Sequence, residues 1–258
     1  MIQANPEFLR TRKNEMTLFS VNLNKIALLR NSRGRDFPNV VEFARTYINL
    51  GVRGLTIHPR QDERHITRQD TRDLAELVVE LDSVELNIEG YPSEDFMQLV
   101  EAVKPDQCTL VPDSPDQLTS DHGWDLDQTF DQVSKVCARI NQSGVRSAIF
   151  LYPERHQVEL AAKTGTRRLE LYTEAYAESY GKENADEVFE QYKSAAELAR
   201  KLGLELNAGH DLDLSNLAKF LTIDGILEVS IGHAFTVECI ERGMKPVVAD
   251  YLKTCKGG

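Results

Sequence analysis

Val84-Glu85-Leu86-Asn87-Ile88-Glu89 alternates apolar and polar side chains with the period of two that a β-strand imposes. Four more stretches read the same way: Phe19-Ser20-Val21-Asn22-Leu23-Asn24, Arg168-Leu169-Glu170-Leu171, Leu204-Glu205-Leu206-Asn207 and Leu227-Glu228-Val229-Ser230-Ile231. Each is flanked by helix-patterned sequence, so one strand face belongs under a helix layer. Strands covered by helices on both faces of an open parallel sheet read instead as continuous apolar runs. The polar row therefore needs another enclosure, and the lumen of a closed barrel supplies one. On that reading Asn22, Asn24, Glu89, Glu170 and Asn207 gather at one mouth, the rim where barrels carry their sites.

A phrase repeats around these strands: amphipathic helical sequence, a glycine, then a short strand. It occurs at Gly51 before Leu55-Thr56-Ile57, at Gly144 before Ala148-Ile149-Phe150, at Gly165 and at Gly203. Glycine just past a helix takes the left-handed conformation that ends it, and the chain turns into the next strand. The alternation predicts eight strands, at roughly 18–23, 54–58, 84–89, 107–111, 146–151, 168–172, 204–207 and 227–231. Between them Leu74, Leu77, Val78 and Leu81 share one helical face, and further helices are predicted at roughly 38–50, 93–103, 130–143, 154–164, 185–202, 214–221 and 236–254. Helix and strand alternating with no linker between halves predict an α/β fold, a single (β/α)8 TIM barrel with extra helices over residues 17–258, after a loose extension over 1–16. The competing open sheet lacks its glycine-rich phosphate loop, because Asn24-Lys25-Ile26-Ala27 follows the first strand. Pro112–Gly123 and Thr173–Asn184 are longer than their helices need, as binding loops or lids are.

At 258 residues, 41% hydrophobic and 28% charged, the chain has the composition of a soluble globular protein. A net charge of −11 disfavours non-specific binding to nucleic acid or anionic membrane, which need a cationic surface. No apolar run approaches the roughly 20 residues of a membrane span. The opening Met1 to Glu15 lacks the apolar core of a secretory signal. Cysteines at 108, 137, 239 and 255 show no metal or disulfide spacing, so reduced thiols in the cytoplasm are expected. Against the acidic background two arginine groups stand out, Arg30 with Arg33 and Arg35, and Arg60 with Arg64, Arg68 and Arg72. Both begin just after a predicted strand, where α/β enzymes hold anions.

Four histidines fall at or just beyond strand ends: His58 and His65, His210, and His233. Alternation puts Leu55 and Ile57 outward and Thr56 and His58 in the lumen. Glu89 ends the next strand on the same logic, so an imidazole and a carboxylate stand about 5–7 Å apart at the backbone. Such a pair moves protons near neutral pH, with Glu170 and His210 facing it across the mouth. Glu85, Arg168, Glu205 and Glu228 begin their strands and would form a deeper structural network. A metal is the rival use of His58, Glu89, His210 and His233, which can ligate zinc or manganese as in metal-dependent sugar-phosphate isomerases and aldolases. A non-catalytic phosphate-ligand sensor is the third reading. Asn207-Ala208-Gly209-His210 and Ile231-Gly232-His233-Ala234 follow strands seven and eight, the recurrent phosphate site of barrels, and point to a phosphorylated ligand.

From Leu18 to the C-terminus the chain resembles the pyridoxine 5′-phosphate synthase family. The motifs that carry the likeness are Val21-Asn22-Leu23-Asn24 leading to Leu29-Arg30-Asn31-Ser32-Arg33-Gly34, Thr56-Ile57-His58-Pro59-Arg60 with Arg64-His65-Ile66, and Asn87-Ile88-Glu89. Leu110-Val111-Pro112 and the two Gly-His segments complete the series. The resemblance implies condensation of 3-amino-2-oxopropyl phosphate with 1-deoxy-D-xylulose 5-phosphate to pyridoxine 5′-phosphate, inorganic phosphate and water. It implies no metal or organic cofactor, and assembly as a homo-octamer. By motif, His58 and Glu89 are proton acceptors, His210 a proton donor and Glu170 a transition-state stabiliser. Asn22, Arg33 and the Gly232-His233 pair would hold the amino-ketone phosphate; Asn24, Lys25, Arg60, His65 and Thr119 would hold the deoxyxylulose phosphate. Two positions depart from the family pattern: Asn24-Lys25 replaces a frequent Asp-His, and Asp211 stands where glycine often follows the donor histidine, so that its contact with substrate would come from its backbone.

Overall fold

The polar rows predicted to face a lumen do face one. A computed structural model describes residues 16–81, 83–113, 117 and 120–257 of the chain, so the expected extension, apart from Met16, lies outside the described residues. The strands are β1 (Leu18–Asn22), β2 (Gly54–Ile57), β3 (Glu85–Gly90), β4 (Gln107–Leu110), β5 (Arg146–Leu151), β6 (Arg168–Leu171), β7 (Glu205–Gly209) and β8 (Ile226–Ile231). Each pairs in parallel with the next and β8 returns to β1, closing an eight-stranded barrel.

The apolar row of each strand packs outward under the helices. Leu55, Ile57, Ile88, Leu169, Leu171, Leu206, Val229 and Ile231 have no exposed surface. Covering them are α1 (Asn24–Asn31), α2 (Val40–Asn49), α3 (Arg68–Val79), α4 (Glu94–Val103), α5 (Leu126–Gln142), α6 (Arg155–Ala161), α7 (Glu174–Ser179), α8 (Ala185–Lys201), α9 (Leu217–Phe220), α10 (His233–Arg242) and α11 (Met244–Cys255). Capping side chains start several of them: Asn39 accepts from Glu42 at α2, Ser93 from Phe96 at α4, and Thr67 and Asp70 form a reciprocal box at α3. The expected terminating glycines lie in the left-handed region, Gly51 at φ 107° and Gly203 at φ 85°.

Three expectations are corrected. Residues 24–31, where the sequence predicts no helix, form α1, held by buried Ile26, Ala27 and Arg30. The connection after β6, read as an open loop or lid, contains α7, whose Tyr176 is buried against Tyr192 and Phe220 and donates to the Asn216 carbonyl at 2.8 Å. The single helix expected at 236–254 is two, because Gly243 at φ 89° breaks it and α10 already begins at His233.

The lumen is filled at its N-terminal end by the network expected there. Arg168 donates to Glu205 at 2.8 Å, to Glu228 at 3.2 Å and to Gln107 at 3.1 Å. Arg146 joins Gln107 to Glu85. Asn207, expected at the mouth, turns instead to Glu228 at 3.0 Å and belongs to this deeper layer. Removing one partner of a buried ion pair leaves an uncompensated charge. Arg168→Ala is therefore expected to lower unfolding free energy by about 3–5 kcal/mol, read as a shifted urea midpoint with an unchanged slope.

Candidate active site

The barrel register sets the first pair of functional side chains. Ile57 of β2 stands opposite Ile88 of β3, so the next residues along the two strands, His58 and Glu89, leave the sheet side by side at the C-terminal rim. The Asn24 side chain accepts a hydrogen bond from the His58 backbone N–H at 2.9 Å, tying the ends of β1 and β2 together. Asn22 completes this corner: its Oδ1 accepts from the Asn24 N–H at 3.0 Å and its Nδ2 faces Glu89 Oε2 at 3.5 Å.

Beyond His58 the chain lays down a cationic lobe. The Arg60 guanidinium is buried, paired with the equally buried Asp113, and donates to the Gln117 carbonyl at 2.8 Å. Arg64 reaches the same carbonyl at 3.0 Å. His65 stands against His58, ring centroids 6.1 Å apart, and its Nδ1 accepts from the Ile66 N–H. Burial first, and the Arg60 and Arg64 charges second, lower the His65 pKa to about 4. Burial, Arg60 and His65 hold His58 well below the ordinary histidine range. Both rings are thus neutral near pH 7. Lys25, second residue of α1, adds to the field at His65.

The carboxylates of the mouth shift the opposite way. Burial raises the Glu170 pKa to about 7, with Glu228 adding to the shift and His210 opposing it. Burial and the charge of Glu170 likewise raise Glu89 well above its ordinary value. Among the described residues, Glu170 Oε2 is buried without a hydrogen-bond partner, which leaves an acceptor available to a ligand. His210 follows Gly209, where an added Cβ would lie 2.5 Å from the Ser230 carbonyl and 3.2 Å from Glu170 Oε1. Only glycine lets β7 pass that close. The His210 ring is packed by Tyr172, edge-on at 5.4 Å, and Phe150 at 6.4 Å.

Gly232 and His233 lie where β8 passes into α10, and His233 is exposed as the first residue of that helix. An added Cβ at Gly232 would meet Asn22 Cβ at 3.0 Å, so this glycine makes room for the Asn22 side chain. Arg33 stands exposed on the turn after α1. The buried arginine of its cluster is Arg30, which forms an ion pair with Asp70 and so joins α1 to the start of α3. Thr119 lies outside the described residues; its neighbour Ser120 donates to Asp113 at 2.8 Å. Asp113 is the residue that sequence reading missed, although its place just past Leu110-Val111-Pro112 at the end of β4 was a signal. Among the described residues, no three His, Cys, Asp or Glu side chains are grouped as a metal site requires, and no helix is long and apolar enough to cross a membrane. A separate cavity of about 520 Å³, lined by Thr46, Leu50, Met244 and Pro246, lies where α2 ends and α11 begins, away from this rim.

Residues 19–257 match the family described as pyridoxal phosphate biosynthesis protein PdxJ. Pyridoxine 5′-phosphate synthase of Bacteroides fragilis is 48% identical over 241 residues, 93% of this chain and 99% of its own. The enzyme of the same name from Flavobacterium johnsoniae is 48% identical over 242 residues, 93% of this chain and 100% of its own. Solved structures share the barrel at far lower identity. Tryptophan synthase from M. tuberculosis superposes with a TM-score of 0.65 at 9% identity, covering 99% of both chains. The tryptophan synthase alpha-subunit of Pyrococcus furiosus gives 0.59 at 11% identity, covering 94% of this chain and 96% of its own.

The raised carboxylates carry a stability signature. Between the ordinary 4.5 and about 7, folded Glu170 keeps a proton that the unfolded chain has released. Its contribution is therefore present at low pH and lost as pH rises through that window. Glu170→Gln should lose less stability than the parent chain between pH 5 and pH 8, measured as thermal midpoints at the two pH values.

Proposed function

The chain belongs to the family of pyridoxal phosphate biosynthesis protein PdxJ and works as a pyridoxine 5′-phosphate synthase, and from that premise we propose that its mouth condenses 3-amino-2-oxopropyl phosphate with 1-deoxy-D-xylulose 5-phosphate. The observation that carries this reading is the convergence on one rim of a neutral histidine beside a carboxylate, His58 and Glu89, with a second imidazole and carboxylate, His210 and Glu170, of which Glu170 is near enough to act electrostatically on Glu89. Imine formation, loss of phosphate and water, ring closure and aromatisation are proton transfers around carbonyl and enamine carbons. Several acid-base groups in one water-restricted mouth suit that sequence.

In this reading His58 and Glu89 accept protons. His58 is suited to it by being uncharged, and Glu89 by the basicity that desolvation gives its ionised form. His210, whose charge is favoured by Asp211, donates. Glu170 offers its unpartnered oxygen to the cationic character that develops as the imine forms. The deoxyxylulose phosphate would meet Arg60, His65 and Lys25, with Thr119 from the loop after β4 closing over it and Asn24 fixing the His58 backbone beneath. Asp113 and Gln117 hold the Arg60 fork before any phosphate reaches it. The amino-ketone phosphate would lie across the mouth, at Asn22 and the start of α10 beside Gly232 and His233, where backbone N–H groups favour an anion. Arg33 would have to swing inward from its exposed turn to join it, and Asp211 would contribute through its backbone.

Residues 17–258 act as one catalytic unit in this reading. Its four cysteines are unpaired thiols, as suits the cytoplasm. Exposed Leu28 and Leu29 on α1 and Val237 and Ile240 on the adjoining α10 offer an apolar face for self-association, with the homo-octamer of the family as the expected assembly.

Mixing both phosphates with purified protein should yield a pyridine chromophore and free phosphate, unaffected by a chelator. Loss of activity on chelation would favour the metal-dependent reading, and failure to turn over either phosphate would favour the sensor. His58→Ala and Glu89→Gln should each lower product formation by at least about 100-fold while leaving the circular dichroism spectrum intact. Near-normal turnover in either variant removes that residue from its role.

A further inference from the structure

His210 and Asp211 are consecutive in sequence, yet their side chains meet: His210 Nδ1 and Asp211 Oδ2 are 2.7 Å apart. Neighbouring side chains in extended backbone point to opposite faces, so this contact needs a special turn. The turn is present. His210 has φ 52°, a left-handed conformation that few residues other than glycine adopt, with Asn, Asp and His the least infrequent among them. The surroundings impose it. Gly209 is pressed against the Ser230 carbonyl and its own carbonyl accepts the Thr173 hydroxyl, while the Asp211 carbonyl accepts from Asn216 Nδ2 at 3.3 Å.

We propose that Asp211 is a positioning residue: its carboxylate anchors the Nδ1 edge of His210 and makes Nε2 the nitrogen that delivers the proton. The proposal rests on His210 being the donor, and adds the element that keeps it one. The ring is clamped by Tyr172 and Phe150, so the anchor fixes its rotation about a defined axis. Burial of the ring acts against its charge, and the groups that outweigh it are Asp211 first, then Glu170 from β6 and Glu174 from α7. Glu174 is itself engaged by the Tyr172 hydroxyl at 2.7 Å, whereas Asp211 contacts the His210 ring directly. A glycine at this position, frequent in the family pattern, offers no such carboxylate.

A protonated donor is lost as pH rises through its pKa, and removing the carboxylate lowers that pKa. Asp211→Asn should move the alkaline limb of kcat to lower pH by about one unit or more, an approximately tenfold loss of kcat on the alkaline side. KM for both phosphates should stay within about twofold. The His210 ring, followed by nitrogen NMR in the full chain without substrate, should show the same displacement. Should Asp211→Asn fail to fold, Asp211→Gly carries both readouts. An unmoved NMR titration and an unmoved limb overturn the proposal. A moved titration with an unmoved limb, or near-normal turnover in His210→Asn, shows instead that His210 is not the donor, which overturns that reading and the positioning role with it.

Discussion

Arg168 makes an inward-facing polar row compatible with folding. It meets Glu205, Glu228 and Gln107 inside the barrel, and Gln107 passes the network to Arg146 and Glu85. Charges taken from water at that depth are tolerated only when paired and hydrogen-bonded. The period of two then links this base to the rim, because Glu85, Asn87 and Glu89 occupy one face of β3, and Arg168 and Glu170 one face of β6. A slip of one residue in either strand would send the rim carboxylate under the helices and an aliphatic side chain into the mouth. The deep network and the rim chemistry thus depend on a common register.

That dependence explains what could be read from sequence. Alternation survives in β1, β3, β6, β7 and β8 because one face meets aliphatic helix surface and the other meets polar groups, and the amphipathic helices were visible for the same reason. α1 was hidden because its burial depends on Arg30, which looks like surface charge until Asp70, forty residues on, is brought beside it. α7 was hidden because it is short and its tyrosines looked like loop residues, whereas Tyr176 is fully enclosed by aromatic rings.

Site residues on strand ends were legible, since parity alone orients them. Residues whose part depends on a partner distant in sequence were not. Asp113 matters because Arg60 lies against it, and nothing near either residue announces the pair. Asn207 has the parity of a rim residue but turns to Glu228, because a buried carboxylate in need of a donor outbids an open mouth. Asp211 looked like a departure from a glycine position. The left-handed turn at His210 converts the same departure into a contact.

The mouth is electrically divided, and the division suits two anionic substrates that must exchange protons. Burial first, and then the charges of Arg60 and Arg64, keep His65 and His58 uncharged, with Lys25 adding at His65. Burial raises both Glu89 and Glu170, helped at Glu89 by the Glu170 charge and at Glu170 by Glu228, while Asp211, Glu170 and Glu174 act against burial to favour a charged His210. Opposite shifts of this kind bring histidines and carboxylates that would otherwise titrate apart toward complementary acid and base states near neutrality. In the proposed reaction, a phosphate drawn to the cationic lobe would bring its carbon skeleton to the boundary between the two halves. At that boundary Glu170 acts electrostatically both on Glu89 and on His210.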